Sequence, residues 1–423
     1  MKMKIGQRRD PIADGSLFAP RQASSPPKAS SSASERERER ERETMSEKLT
    51  GLTLKPVGAP SGSRSMEDCY DKIAQVGEGM YGQVYKMRDK ADPKVLVALK
   101  KVRMANEREG FPITAIREIK LLSKFSAEND SKYIVNLKEI VTSKADAGND
   151  NKGDIYMVFE YMQHDLAGIR ENKECKFDLQ TIKVILKQIL RGLWACHKNK
   201  VLHRDLKCSN VLVNVNGEVK LADFGLARTM GDKKKLTPKV ITLWYRPPEL
   251  LLGNQEYGPS VDMWSAGCIL AELLLEKPLL PGKDESDQIF RIFQIFGTPG
   301  EETWPGVTRL PLYERYAKGK SFPNIFSKHM LDFSKHKISE NCLDLLLRLL
   351  DPDPKKRITA NEAYSHEWFS EGPRVWNPNE EREAQKRLSN KLHHISDSHE
   401  YEQRLKRKLE SKQSRPMAKP RFM

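Results

Sequence analysis

The chain has 423 residues, is 38% hydrophobic and carries a formal charge of +15. It shows no apolar run long enough for a membrane helix and no N-terminal apolar stretch, so the sequence reading expects neither a membrane span nor a secretory signal. Its six cysteines are scattered without a CxxC pair, so zinc and a redox dithiol are not expected and the cysteines read as free thiols.

Residues 1–66 hold thirteen Lys/Arg against eight Asp/Glu and are rich in Ser, Pro and Ala. The alternating run from Glu35 to Glu43 places like charges at i and i+4, which disfavours a helix. This segment is predicted to be a disordered low-complexity tail, with Met45 as an alternative start. From about residue 67 the pattern changes. "YDKIAQVGEGMYGQVYKMRD", "KVLVALKKVRM" and "DIYMVFEYM" are turn-bounded runs that read as strands. Between them "FPITAIREIKLLSKF" reads as a helix, because Ile116, Ile119 and Leu122 share a face and Pro112 precedes it. The polar stretch from Ser143 to Asp154 reads as a loop. From Phe177 onward the long apolar segments are helical in period, including "TIKVILKQILRGLWACH", "SVDMWSAGCILAELLLE", "DQIFRIFQIFG" and "SENCLDLLLRLLD". The expected class is α+β: a strand-rich first lobe over 67–162 and a helical second lobe over 163–369. Residues 370–423 read as a basic tail of short exposed helices or disorder. Residues 380–423 carry twelve Lys/Arg against seven Asp/Glu. Such tails can hold nucleic acid or an import receptor, and "RLKRK" from Arg404 has the composition of a nuclear import signal; a solvating tail is the plainer alternative.

The chemistry-bearing residues recur in a fixed order. "GEGMYGQV" (Gly77, Glu78, Gly79, Met80, Tyr81, Gly82, Gln83, Val84) is a glycine-rich turn followed by a strand rather than a helix. That favours a hairpin laid over phosphates, as in protein kinases, above a dinucleotide-binding turn. Lys100 suits a phosphate-holding cation, positioned by Glu118 on the next helix. In "HRDLKCSN", Asp205 can accept the proton of an attacking hydroxyl and Lys207 can neutralise the transferred phosphoryl group. Asn210 and Asp223 offer oxygen ligands for Mg²⁺, a hard cation. Phosphoryl transfer depends on positioning and charge neutralisation, which these residue types provide.

From Tyr70 to Phe369 the sequence resembles the cyclin-dependent protein kinases. "PITAIRE", "HRDLKCSN" and "KVITLWYRPPELLLG" are most similar to the transcriptional branch, which includes the elongation kinases that pair with cyclin T or cyclin K and the plant C-type kinases. The resemblance implies a two-lobed fold with ATP in the cleft. It places Phe159 behind the adenine, backbone groups of Glu160 and Met162 at its edge, and Asp165 at the ribose. It lays Val76, Val84, Ala98 and Leu212 against the ring. It makes Thr237 an activating phosphorylation site clamped by Arg117, Arg204 and Arg228, and so implies an activating kinase and a segment that lacks fixed contacts without the phosphate. Tyr81 is a possible inhibitory phosphorylation site, and Met80 stands where many cell-cycle relatives have Thr. Thr242 is expected beside Asp205 and Lys207. Val240, Ile241 and Arg246 form the pocket for the residue after the acceptor, with Ile241 in a strained backbone that favours proline there. A T- or K-type cyclin is the implied partner through the PITAIRE helix. The implied substrate is the heptad repeat of RNA polymerase II, and the implied location is the nucleus, with the cytoplasm also open. Two other readings stay open: a cell-cycle kinase with another cyclin, and a pseudokinase scaffold whose basic tails bind nucleic acid.

Overall fold

The computed structural model describes residues 65–79, 82–103, 112–127, 132–144, 153–172, 174–231 and 235–413, without the side chains of Gly79 and 408–413. The predicted N-terminal tail up to residue 64, the Met80 and Tyr81 readings, Lys233, Lys234 and most of the polar insertion lie outside these residues.

The first lobe is one antiparallel sheet built from β1 (Tyr70–Gly79), β2 (Gly82–Asp89), β3 (Leu96–Lys101), β4 (Leu137–Thr142) and β5 (Ile155–Glu160), in the order β1-β2-β3-β5-β4. Strand β5, "IYMVFE", is paired on both edges, by β3 and β4, and its Tyr156, Met157, Val158 and Phe159 are all buried, as a strand covered on both faces requires. Helix α1 (Ile113–Ala127) lies beside the sheet and turns Ile116, Ile119, Leu122 and Phe125 into the core. The insertion after β4 closes at its root, where the Ser143 N–H donates to the Asp154 carbonyl at 2.8 Å.

The second lobe is helical. Strand β6 (His164–Asp165) leads into α2 (Leu166–Glu171) and α3 (Leu179–Lys198). Asp178 caps α3 by accepting from the Thr181 N–H at 2.8 Å. Short strands β7 (Val201–Leu202), β8 (Val211–Val213), β9 (Val219–Leu221) and β10 (Arg228–Thr229) carry the site loops; β6, β8 and β9 form one sheet and β7 with β10 another. Helix α4 (Ser260–Leu275) is buried along its whole length, which marks it as the central post of this lobe. Helices α5 (Glu285–Phe296) and α6 (Glu340–Leu349) complete the core.

The segment beyond residue 369 departs from the sequence expectation. Helix α7 (Pro378–Leu392) has a capping box between Asn377 and Glu380 and Pro378 in its first turn. Ala384, Leu388 and Leu392, four residues apart, share one face and are buried against α3. Lys187 of α3, 2% exposed, is held by Glu381 Oε1 at 2.9 Å and the Trp376 carbonyl at 3.3 Å. Lys183, equally buried, donates to the Glu371 carbonyl at 2.9 Å. Helix α8 (Glu400–Gln413) then packs on α2 and β1. Among the described residues, Arg374, Arg382, Lys386, Arg387, Arg404, Lys406 and Arg407 are exposed while a narrow apolar stripe docks, so the segment's charge concealed its packing.

Candidate active site

A cavity of about 640 Å³ lies between the two lobes. Its roof is the β1–β2 hairpin, where Gly77 pairs with Val84 across the turn. Gly82 has φ +137°, and a Cβ there would fall on the Lys101 carbonyl oxygen, so only glycine fits. Val76, Val84, Ala98 and Leu212 line the cavity together with Phe159, Glu160 and Met162 at its back. Gln83 does not line it; its amide oxygen accepts from the Tyr85 hydroxyl at 2.6 Å. Glu160 lines the wall, but its carboxylate is spent on Lys220 at 2.6 Å and the Asn136 N–H at 2.8 Å, which fixes the strand end.

On β3, Lys100 places Nζ 2.8 Å from Glu118 Oε1 and 2.9 Å from Asp223 Oδ1. Burial opposes its charge, but Asp223 and Glu118 outweigh burial and hold Lys100 well above the ordinary lysine range. Burial would raise the Asp223 carboxyl, and Lys100 overcomes that to keep it below the usual carboxylate range. Burial pushes Glu118 up, and the nearby Asp223 charge adds to it against the pull of Lys100. Asp223 sits at φ +63°, a strained conformation for a residue with a side chain.

The loop after β7 builds the second half of the site. Asp205 Oδ1 accepts from the Thr242 hydroxyl at 2.9 Å and the Thr242 N–H at 3.1 Å, and Lys207 Nζ lies 3.2 Å from Asp205 Oδ2. The Asn210 amide nitrogen donates to the Asp205 carbonyl at 2.7 Å and to Oδ2 at 3.1 Å, which turns its amide oxygen the other way. Asn210 and Asp223 both line the same cavity, and the oxygens of these residue types suit a hard divalent cation. The loop is held from below by Asp262, fully buried, which accepts from the His203 and Arg204 N–H groups at 3.0 and 2.9 Å and lies 2.9 Å from His197 Nε2. Burial would raise the Asp262 carboxyl, but the hydrogen bond and charge of His197 keep it low.

The segment from Asp223 to Glu249 carries two further features. Ile241 has φ +68°, and Arg246 grips its carbonyl through Nε at 3.2 Å and Nη2 at 3.0 Å. At the end of the segment, Glu249 and Arg357 form a two-pronged pair with both contacts at 2.6 Å and both side chains fully buried. Arg204 and Arg228 are close enough that Arg228, destabilised first by burial, is destabilised further by the Arg204 charge. Arg117 lies on α1 next to Glu118. Thr237 is exposed. Its surroundings differ from the expectation of a segment without fixed contacts: the Tyr257 hydroxyl donates to the Thr237 carbonyl at 2.8 Å and accepts from Arg204 Nη1 at 2.9 Å. A tyrosine thus links the threonine to the arginine.

Residues 70–369 match the family model described as the protein kinase domain. Cyclin-dependent kinase C-1 of Oryza sativa subsp. japonica is 51% identical over 328 residues, covering 75% of this chain and 61% of that protein. The chain therefore spans about three fifths of the length of that relative. Human cyclin-dependent kinase 9 is 44% identical over 309 residues, covering 72% of this chain and 81% of that protein. The crystal structure of the yeast RNA Pol II CTD kinase CTDK-1 complex contains a chain matching with TM-score 0.66 and 41% identity, over 75% of this chain and 98% of that one.

The chain belongs to the protein kinase family. Within it, the chain belongs to the cyclin-dependent kinase group.

The kinase cleft also contains residues that no motif flagged. His399, Glu400, Tyr401 and Arg404 line it from the C-terminal segment. Asp165, expected at a ribose, caps α2 through the Gly168 N–H at 2.7 Å, and its other oxygen accepts from the Glu400 N–H at 2.9 Å. A ribose hydroxyl would have to share those oxygens. Asp397 accepts from Lys86 Nζ on β2 and from the Tyr161 hydroxyl, both at 2.6 Å, so the segment touches both the upper lobe and the hinge. Tyr161, Val135, Ala222, Leu226, Val240, Ile241 and Arg246 are also among the lining residues. Cys208, near the cleft, is 1% exposed, and burial pushes its thiol up to about 11, which fits a packing role.

Proposed function

We propose that this chain is a cyclin-dependent, proline-directed Ser/Thr protein kinase acting in the nucleus on the Ser-Pro-rich repeats of RNA polymerase II. The observation that carries the reading is one cavity in which Lys100 is clamped between two carboxylates while Asp205, Lys207 and Thr242 form a second cluster facing it. Val76, Val84, Ala98 and Leu212 would hold the adenine, and the Lys100 ammonium would hold the phosphates. The substrate hydroxyl oxygen attacks the γ-phosphorus, its proton passes to Asp205, and the bond to the bridging oxygen breaks to release ADP. Thr242 orients the Asp205 carboxylate, and Lys207 offsets charge on the phosphoryl oxygens. Asn210 and Asp223 would hold Mg²⁺, which when bound neutralises the phosphate oxygens.

The reading assigns residues 67–369 to the kinase domain. Phosphorylation of Thr237 would bring Arg204, Arg228 and Arg117 onto one dianion. Helix α1 would face a T- or K-type cyclin; its first residue, Ile113, leaves 36% of its surface in water. The resemblance to a CTD kinase and to cyclin-dependent kinase 9 supports the substrate and the dependence on a cyclin. The test is the rate on a heptad-repeat peptide with Ser-Pro against the same peptide with Ser-Ala, with and without a T-type cyclin. A Ser-Pro preference that requires the cyclin is expected, and equal rates on both peptides would remove the proline-directed reading.

A further inference from the structure

We propose that Glu285 is a specificity-positioning residue: by holding the outer edge of Arg246 it keeps the Ile241 carbonyl turned away from the substrate, and so sets the preference for proline after the acceptor. The inference rests on the proline-directed reading above and deepens it. Arg246 divides its donors between two acceptors. Nε and Nη2 take the Ile241 carbonyl at 3.2 and 3.0 Å, and Nη1 donates to Glu285 Oε1 at 2.7 Å. The Arg246 side chain is 13% exposed and that of Glu285 is 46% exposed. The arginine is therefore largely enclosed, and Glu285 is the carboxylate the structure places against it.

Ile241 needs that support. A β-branched residue at φ +68° is strained, and two hydrogen bonds to its carbonyl hold it there. Among the described residues, Nη1 of Arg246 has no hydrogen-bond partner other than Glu285, so an arginine without it can swing that edge toward water, taking Nε and Nη2 off the carbonyl. Ile241 then relaxes toward the extended region and its carbonyl becomes available to a substrate N–H. Proline has no N–H and gains nothing from that change, while any other residue gains a partner.

The loop carrying Glu285 is built to hold its place. Glu285 is the first residue of α5, whose cap Asp284 accepts from the Asp287 N–H at 2.9 Å. Just before it, the Gly282 N–H donates to Gln288 Oε1 at 3.0 Å and the Gly282 carbonyl accepts from Trp244 Nε1 at 2.9 Å. Trp244 and Arg246 thus tie the end of the activation segment to the start of α5 at two points. Glu285 touches neither Asp205 nor the Lys100 cluster among the described contacts, so its effect is expected on substrate choice rather than on the chemical step.

The experiment compares the cyclin-bound wild type with Glu285→Ala and Glu285→Gln on matched Ser-Pro and Ser-Ala peptides, reading kcat and KM for each. Glu285→Ala is expected to raise kcat/KM on Ser-Ala and to narrow the Pro/Ala ratio by about three- to tenfold, with kcat on Ser-Pro retained. Glu285→Gln keeps an acceptor of the same shape and is expected to restore part of the ratio. The ratio is taken within one preparation, so a loss of folded enzyme cancels. A wild-type preference that both variants retain in full, or a parallel loss on both peptides, overturns the inference alone. A wild type with equal rates on the two peptides overturns the proline-directed reading and the inference with it.

Discussion

Thr242 gives both its hydroxyl and its backbone N–H to one oxygen of Asp205, at 2.9 and 3.1 Å. The second Asp205 oxygen accepts from the Asn210 amide and lies against Lys207, and Asp205 lines the cleft. Thr242→Ala keeps the N–H contact and is expected to lower kcat more than it raises the KM for ATP. Asp205→Asn removes the proton acceptor and is expected to lower kcat by roughly 10²- to 10⁴-fold. Steady-state kinetics on a Ser-Pro peptide separate the two, and a Thr242→Ala effect confined to the KM for ATP would place the threonine outside the proton-transfer group.

Thr237 sits one hydroxyl away from Arg204, through Tyr257. Thr237→Ala keeps the backbone carbonyl that Tyr257 holds but cannot take a phosphate. It is expected to fold like the wild type and to lose about 5- to 150-fold in cyclin-bound activity relative to the phosphorylated enzyme. Thermal unfolding alongside the rate checks this, and full activity of the variant would exclude Thr237 as the activating site.

Asp397 ties the C-terminal segment to Lys86 and Tyr161, above and behind the cleft. Asp397→Asn is expected to raise the KM for ATP by roughly three- to tenfold, with a smaller change in kcat. Nucleotide-titrated rates measure it. An unchanged KM would mean that the segment lines the cleft without helping to close it.

His164 is buried under this same segment, and its Nδ1 accepts from the Ser398 N–H at 3.2 Å. Burial, reinforced by the His399 charge and opposed by Asp397 and Asp165, pushes its imidazole down to about 4. The folded value lies below the unfolded one, so the unfolded chain binds the extra proton first as pH falls. The stabilising contribution is therefore complete above about pH 6.5 and is lost between there and about pH 4. His164→Gln is expected to flatten the acid limb of the stability profile over that window, measured by denaturant unfolding at successive pH values.

The Glu249–Arg357 pair has no exposed surface on either side chain. Arg357→Ala leaves a buried carboxylate without its partner and is expected to cost about 3–5 kcal/mol, while the double variant with Glu249→Gln recovers part of that. A loss in the double variant equal to the sum of the Arg357→Ala and Glu249→Gln losses would show the pair to be uncoupled.

Lys100, Glu118, Asp205, Lys207, Asn210 and Asp223 were marked in the sequence by motif and order, and the structure brings all six into one cavity. The positive φ of Ile241 was legible only through the resemblance to relatives, since isoleucine itself carries no trace of it. The tail was not readable in the same way. Its apolar content reduces to Ala384, Leu388 and Leu392, a stripe too thin to stand out in a segment dominated by charge. The other half of the contact was hidden in α3, where Lys183 and Lys187 look like solvent-facing residues and are in fact enclosed. Glu400 and Asp397 contact the cleft through a backbone N–H and a single carboxylate, neither of which leaves a spacing rule.

The most direct measurement follows phosphate from Mg-ATP into a polymerase heptad-repeat peptide and a histone-type peptide, using the full chain alone and with T-, K- and B-type cyclins. Asp205→Asn serves as the control for contaminating kinases. Transfer to the heptad peptide that needs a T- or K-type cyclin and vanishes in the control is the expected result. Transfer only to the histone peptide with a B-type cyclin, or no transfer with any cyclin once Thr237 is phosphorylated, would overturn the proposed function.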